Sequence, residues 1–130
     1  MSPDTRNWIL GSHNGEVLDL KFDPADATRL VSVSSDQTVR LWDVSARRMV
    51  GESSFAAPVF PSALEWSSSS DELFVGFSNG TICLMNSATL QCYTWIDTHG
   101  GRVTGLKLRA DALVLASMSN ESMVRLWERS

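Results

Sequence analysis

The sequence lacks the features that mark membrane and secreted proteins. No apolar run approaches the roughly 18 residues that a membrane-spanning helix needs. The start of the chain, MSPDTRNWILGSHNG, lacks the basic region and the apolar region of a secretory signal. We therefore expect a cytoplasmic or nuclear protein, unless the chain was cut from something longer.

Positive charge is scarce. Eleven Lys and Arg residues stand against fifteen Asp and Glu residues, which gives a net charge of -4. A protein that binds nucleic acid usually carries a basic stripe that neutralises phosphates. The only adjacent basic pair here is Arg47-Arg48. The charge pattern therefore argues against a nucleic-acid-binding module and against a partner membrane.

Cysteine is equally scarce, with Cys83 and Cys92 alone. Two thiols make no disulfide framework, so a reducing compartment is the simpler interpretation. A hairpin turn centred on Ser87-Ala88 would place them opposite each other. A disulfide bridge and a pair of small packed hydrophobic residues both fit, and we favour the second.

Sites for small ligands are missing too. Two histidines and two cysteines at these spacings do not form a zinc pattern, and the sequence has no glycine-rich phosphate loop. We therefore expect neither a metal nor a cofactor.

What the sequence does have is an internal repeat. Segments 11–43, 56–86 and 97–128 superpose, and equivalent positions recur 43 and 42 residues apart, at Trp42, Met85 and Trp127. This period lies within the roughly 40–45 residues of a propeller blade. Short alternating apolar runs separated by turn formers such as Asp23-Pro24 and Asn79-Gly80 indicate strands.

The pattern predicts an all-β chain with three blades of four antiparallel strands each, part of a propeller ring. We place blade 1 at 11–53, blade 2 at 54–96 and blade 3 at 97–128. The outer strands fall at 49–53 and 91–96. The third outer strand is the N-terminal strand 7–10, which completes blade 3.

The chain resembles the WD-repeat family. Ser12-His13 occupies the position of that family's Gly-His pair, and SSDQTVRLWD at 34–43 and SNESMVRLWE at 119–128 match its second motif twice. The resemblance covers nearly the whole chain and implies a β-propeller that acts as a platform for other proteins.

The resemblance also implies a hydrogen-bonded tetrad in each conventional blade. The first repeat supplies a complete set: His13, Ser32, Asp36 and Trp42. The third supplies His99, Ser117, Trp127 and, where Asp is usual, Glu121, whose extra methylene puts the hydrogen bond to the turn in question. The second repeat has Val75, Asn79 and Met85 at these positions, and we expect no tetrad there.

Ser32, His13 and Asp36 also match the residue types of a hydrolytic triad. Both histidines of the chain occupy the same repeat position, which is typical of a structural role, whereas a catalytic centre usually occurs once. We therefore expect a protein that is not an enzyme.

If the four strands of a blade are lettered a to d from the innermost to the outermost, the family resemblance implies partner binding at the top face. This face is formed by the b–c loops within blades and the d–a loops between successive blades. The candidates are Glu16, Leu18 and Ser35 in blade 1, Phe60, Ser62 and Ser78 in blade 2, and Arg102, Thr104 and Asn120 in blade 3. Phe60 is the most distinctive, because it is a large apolar residue flanked by Pro58 and Pro61.

Three blades do not ordinarily close a ring. The chain starts with a d strand and ends with a c strand, so two copies can form a six-bladed homodimer in which each N-terminal strand completes the other copy's last blade. Alternatively, a different chain supplies the missing blades. The sequence thus predicts a protein–protein interaction scaffold, with a purely architectural subunit or a fragment of a larger propeller as the alternatives.

Overall fold

The strands of this chain form three separate antiparallel sheets. The computed structural model describes residues 6–67, 71–97, 100–121 and 123–129, and all regular structure within these ranges is β-strand. The predicted all-β class with propeller blades is therefore confirmed. Within the described ranges, no helix could span a membrane.

Each sheet follows chain order from its innermost strand outwards. Blade 1 consists of β1 (Val17–Phe22), β2 (Arg29–Ser34), β3 (Thr38–Asp43) and β4 (Arg48–Ser54). Blade 2 consists of β5 (Pro61–Trp66), β6 (Glu72–Phe77), β7 (Thr81–Asn86) and β8 (Cys92–Asp97). Blade 3 has three strands, β9 (Val103–Leu108), β10 (Val114–Ser119) and β11 (Val124–Glu128).

The strand predicted at 7–10 is not formed in this chain. Residues 6–10 have no strand hydrogen bonding, and the Trp8 ring lies 3.8 Å below the guanidinium of Arg47. β11 is therefore an edge strand among the described residues, and pairing of 7–10 with the last blade of another copy stays a prediction.

Equivalent turns of blades 1 and 2 contain a residue with a positive φ angle at the same place. The turns between the second and third strands place Gln37 at φ 75° and Gly80 at φ 89°. Arg47 and Leu90 take φ values of 57° and 59° at the turns before the outer strands. Such left-handed positions reverse the chain within a few residues and set the spacing of the strands.

The blades pack face to face around their first strands, with β5 lying between β1 and β9. The blade 1–2 core is made of Val31, Val33, Val39 and Leu41 against Leu64, Leu73, Val75, Phe77 and Met85. The blade 2–3 core is made of Ala63, Phe74 and Ile82 against Val103, Leu106 and Leu115. Removal of this apolar surface from water, at about 1.5–3 kcal/mol for each large side chain, holds the blades together.

The two cysteines are joined in a disulfide in the structure, with Cα atoms 5.9 Å apart. This corrects the preference for packed thiols. It also corrects the predicted register, because Cys92 pairs with Met85 and Cys83 with Trp95 across a β-bulge. The cysteines are thus diagonal neighbours on one face of the hairpin.

Candidate functional site

The loops at one end of each blade meet in the same backbone clamp. In blade 1 the Ser35 N–H donates to the Glu16 carbonyl at 3.0 Å, and the Glu16 N–H donates to Ser35 Oγ at 2.9 Å. Phe60 and Ser78 exchange the same two hydrogen bonds in blade 2, at 2.9 and 3.0 Å. In blade 3 the Asn120 N–H donates to the Arg102 carbonyl at 3.2 Å. We call this end the top face, and six of its nine candidates form these clamps.

At the boundary between blades 2 and 3, the top face brings an aromatic ring and a cation together. The Arg102 guanidinium lies 5.4 Å from the centre of the Phe60 ring, a distance at which cation and ring attract each other. The Nε of Arg102 is buried and has no hydrogen-bond partner within the described ranges. Both side chains are half-buried, so each still presents a surface to a partner.

The remaining three candidates differ in accessibility. Ser62 is only 4% exposed, and its hydroxyl donates at 2.5 Å to the Val103 carbonyl of blade 3. Ser62 therefore joins two blades, and its expected place on the binding surface was wrong. Leu18 is half-buried against the blade 1–2 core, and Thr104 is exposed.

Below the top face of blade 1, four side chains form a continuous hydrogen-bonded chain. Trp42 Nε1 donates to Ser32 Oγ at 2.8 Å, and Ser32 Oγ lies 2.6 Å from Nε2 of His13. His13 Nδ1 lies 2.9 Å from Oδ2 of Asp36. Since a carboxylate only accepts, the imidazole proton lies on Nδ1, and Nε2 accepts from the serine hydroxyl.

Asp36 is the last residue of this hydrogen-bonded series, and its carboxylate accepts further hydrogen bonds. The Asn14 N–H donates to Oδ2 at 3.0 Å, and the Thr38 N–H and hydroxyl donate to Oδ1 at 3.0 and 2.6 Å. Burial opposes ionisation of the carboxyl, but the hydrogen bonds from Thr38, His13 and Asn14 outweigh burial and lower the pKa of Asp36 to about 2. The carboxylate is therefore ionised at neutral pH and fixes the orientation of His13.

This set also contains the residue types of a hydrolytic triad, but it is closed to a substrate. The side chains of His13 and Asp36 are 2% and 6% exposed, and Ser32 is 5% exposed. The Ser32 hydroxyl is held between the Trp42 indole and the imidazole. A nucleophile needs space for a reacting carbonyl beside it, so this arrangement supports orientation of the loop rather than chemistry.

Blade 3 repeats part of the network with a longer carboxylate. Trp127 Nε1 donates to Ser117 Oγ at 2.9 Å, as Trp42 does to Ser32. Glu121 accepts from the Gly100 N–H at 3.0 Å, at the position where Asp36 accepts from Asn14. The extra methylene thus leaves the hydrogen bond to the turn intact. His99, the fourth member predicted for this blade, lies outside the described residues.

Blade 2 replaces the network with apolar packing. Val75 and Met85 are fully buried in the blade 1–2 core. The Asn79 side chain makes the hydrogen bonds of the turn that Asp36 makes in blade 1: it accepts from the Thr81 N–H at 3.2 Å and from the Thr81 hydroxyl at 2.8 Å. Within the described residues, the second blade therefore lacks the polar network that a histidine would complete.

Two residues that hydrogen-bond in the turns of the site, Thr38 and Thr81, were not among the predicted site residues. The Asp36-x-Thr38 and Asn79-x-Thr81 spacings, in which a turn residue caps the next strand, would have identified Thr38 and Thr81. Arg102 was predicted for the surface, but its stacking on Phe60 joins residues of two blades and has no local signal. The described ranges contain no group of three or more His, Cys, Asp or Glu that could hold a metal ion.

Comparison with known proteins supports one family. The family model described as WD domain, G-beta repeat matches residues 5–43. The chain is 29% identical to the pre-rRNA-processing protein IPI3 of Yarrowia lipolytica, over 89% of this chain and 32% of that protein. It is 25% identical to human coronin-7, over 92% of this chain and 13% of the relative.

A further relative is the histone-binding protein MSI1 of Saccharomyces cerevisiae, at 25% identity over 89% of this chain and 28% of that protein. The chain thus spans a third or less of the length of these curated relatives.

Proposed function

Because this is a chain of WD-type repeats folded as blades of a β-propeller, we propose that it acts as a protein–protein interaction scaffold. Its top face would bind a peptide or a subunit of a larger complex. The single observation that carries the proposal is the Arg102 guanidinium over the Phe60 ring at the meeting point of blades 2 and 3.

The chemistry of this pair suits a protein ligand. Aromatic and arginine side chains are the residues that most often dominate protein interfaces. The Phe60 backbone is fixed by its clamp to Ser78, so a bound partner would not have to order this loop. The half-buried Arg102 guanidinium also carries several N–H groups, which suit a carbonyl or carboxylate of the partner.

The relatives support the general role and not a particular partner. One is named for histone binding and another for pre-rRNA processing. We propose from these names that the chain works in the cytoplasm or nucleus, within an assembly of proteins. With a net charge of -4, we expect direct binding of nucleic acid to be the weaker possibility.

The proposal can be tested with 12-residue peptides selected from a random library on the immobilised chain. Affinities of the selected peptides are then measured by fluorescence anisotropy for the parent, Phe60→Ala and Arg102→Ala. We expect each substitution to weaken binding by about tenfold, as for a residue at the centre of an interface.

Ser45→Ala provides the control, since Ser45 lies in the exposed turn between β3 and β4 and is not one of the nine top-face candidates. It should retain the affinity of the parent. Selected peptides that bind Phe60→Ala and Arg102→Ala as tightly as the parent would overturn the proposal for this surface.

The faces of blades 1 and 3 that point away from blade 2 support a second part of the proposal, a role in assembly. On the blade 1 side Leu20 is 51% and Phe22 is 55% exposed, whereas the equivalent Leu64 and Trp66 of blade 2 are buried against blade 1. On the blade 3 side Leu126 is 68% exposed, whereas the equivalent Leu41 is buried against blade 2.

Each open face therefore lacks the kind of neighbour that the internal blades have. We propose that further blades cover them, supplied by a second copy in a six-bladed homodimer or by a different chain. Light scattering coupled to size-exclusion chromatography separates the two, because a pure monomer at micromolar concentration would exclude the homodimer.

A further inference from the structure

The outer strand of blade 2 carries a tryptophan that is held by other rings and is still half-exposed. Trp95 lies in β8 opposite Cys83 of the blade 1–2 core, so its side chain points towards blade 1. Its ring lies 5.1 Å from the ring of Phe77, which is fully buried, and 6.5 Å from that of Phe55, which follows β4. Trp95 is nevertheless 52% exposed. The neighbouring rings thus fix the indole and leave about half of it open to a ligand.

An acidic side chain lies on the same face of β8. Asp97 pairs with Thr81 as Trp95 pairs with Cys83, and residues two apart in a strand point to the same side. Asp97 is exposed, and within the described residues it forms no ion pair. Blades 1 and 2 both have all four strands here, so this chain makes both sides of the site.

Elsewhere in the chain, aromatic rings repeatedly contact arginine. Four guanidinium groups lie between 3.8 and 5.4 Å from the centre of an aromatic ring: Arg47 at Trp8, Arg29 at Trp66, Arg102 at Phe60 and Arg129 at Phe74. In the part of the chain that the structure describes, no Lys or Arg lies over Trp95. Trp95 therefore presents an aromatic surface without the cation that these other rings have.

Arg29 shows how a tryptophan and an aspartate hold one arginine together. Its guanidinium lies 5.3 Å from the centre of the Trp66 ring, and its Nη1 donates at 3.0 Å to Oδ2 of Asp23. The ring attracts the cation through its negative face, and the carboxylate accepts a charge-assisted hydrogen bond. Trp95 and Asp97 offer the same two groups at the surface.

We propose that Trp95 and Asp97 bind an arginine side chain of a partner protein at the outer strands of blades 1 and 2. The guanidinium would stack on the exposed part of the indole, and its N–H groups would donate to the Asp97 carboxylate. Arginine suits the site better than lysine, because a planar guanidinium can make both contacts at once. This inference rests on the proposed scaffold role and adds a surface separate from the pair of Phe60 and Arg102, which lies between blades 2 and 3.

The test compares two peptides on the full chain. The first is GSGRGSG, and the second carries citrulline, the uncharged analogue of arginine, in place of the arginine. Each is titrated into the isotope-labelled chain, and the indole N–H signals are followed by NMR, with the Trp95 signal identified as the one lost in Trp95→Phe. We expect the arginine peptide to shift the Trp95 signal in a saturable way, and the citrulline peptide to bind about tenfold more weakly.

Variants of the chain assign the effect to the two side chains. Asp97→Asn should weaken binding of the arginine peptide by about fivefold and Trp95→Leu by about tenfold, with the backbone signals of β8 giving the affinity in the second case. Asp71→Asn, an exposed carboxylate in the loop before β6, and Trp8→Leu, a half-exposed ring already contacted by Arg47, are the matched controls and should bind as the parent does.

Circular dichroism verifies that the variants are folded, and the comparison of the two peptides on the parent chain needs no variant. Equal affinities of the two peptides would overturn the inference, as would a Trp95 signal that does not shift or unchanged affinity in Asp97→Asn and Trp95→Leu. Phe60→Ala should bind the arginine peptide as tightly as the parent. A loss there would assign the peptide to the top face and also overturn the inference, so the two proposals fail by different results.

Discussion

The Asp19 carboxylate accepts a 3.0 Å hydrogen bond from the backbone N–H of Leu64, which joins the first strand of blade 1 to the first strand of blade 2. Glu65 makes the same kind of contact one blade further on, accepting from the Leu108 N–H at 3.0 Å. Acidic side chains of the inner strands thus satisfy main-chain donors of the next blade. These hydrogen bonds fix the position of each blade along its neighbour, which apolar packing alone does not specify.

We predict that Asp19→Ala destabilises the chain by about 1–2 kcal/mol, because the Leu64 N–H loses its acceptor in a partly buried place. Asp19→Asn keeps an acceptor oxygen and should cost less. Urea unfolding followed by tryptophan fluorescence measures both. Lys21→Ala is the control, since Lys21 lies 3.5 Å from Asp19 in a partly exposed ion pair and should change stability by less than about 1 kcal/mol. An Asp19→Ala midpoint equal to that of the parent would contradict the prediction.

Ser32→Ala should destabilise blade 1 by roughly 1–3 kcal/mol, because both the Trp42 N–H and Nε2 of His13 lose their partner. The free energy of unfolding in urea is the measurement. Ser45→Ala, in an exposed turn, should stay within about 0.5 kcal/mol of the parent. Similar small effects for both variants would show that the hydrogen-bonded chain adds nothing to stability.

The low pKa of Asp36 predicts a specific loss of stability in acid. Its folded-state pKa, about 2, lies below the ordinary value of 3.8, so ionised Asp36 stabilises the fold at neutral pH. This contribution is present above about pH 4 and is lost as the pH falls towards 2; it is of order 2 kcal/mol, since one pKa unit corresponds to about 1.4 kcal/mol.

Unfolding of the parent and of Asp36→Asn at a series of pH values tests this. The parent should be more stable at neutral pH, and the difference should shrink as the pH falls from about 4 towards 2. A difference between the two proteins that is the same at every pH would mean that the ionisation of Asp36 is not coupled to folding.

Gly76→Ala should disrupt the interface between blades 2 and 3. A Cβ at this position would overlap the Val103 side chain, which is fully buried and has no room to move. Overpacking of this kind costs about 1–3 kcal/mol. In Gly51→Ala the new Cβ would stand 3.5 Å from Leu41 and Leu90, an ordinary contact. Thermal unfolding should therefore distinguish the two variants, and equal melting temperatures would contradict the close approach of Gly76 to Val103.

Much of the architecture was predictable because it depends on local pattern. The predicted outer strands at 49–53 and 91–96 lie within one residue, at each end, of β4 and β8. The alternation of apolar residues and the turns at Asp36 and Asn79 both act over a few residues, so they can be read without knowledge of the neighbouring blade.

Contacts between residues of different blades could not be predicted from local sequence patterns. The family resemblance assigned Ser62 to the top face, but Ser62 is buried and its hydroxyl donates to the carbonyl of Val103, 41 residues later, in the next blade. Cys83 and Cys92 were expected to pair directly across a turn centred on Ser87-Ala88, but Cys92 pairs with Met85, two residues from Cys83. Counting residues outward from a symmetric turn does not predict this change in the strand register.

By itself, the sequence determined the repeating unit, because the 43-residue period, the alternation of apolar residues and the turn residues are local patterns. Only the tertiary structure decided which polar groups are buried between blades, such as the Ser62 hydroxyl that donates to the Val103 carbonyl. The physical reason is that blade packing joins residues far apart in the chain, where water is excluded and a hydrogen bond depends on the exact offset of two sheets.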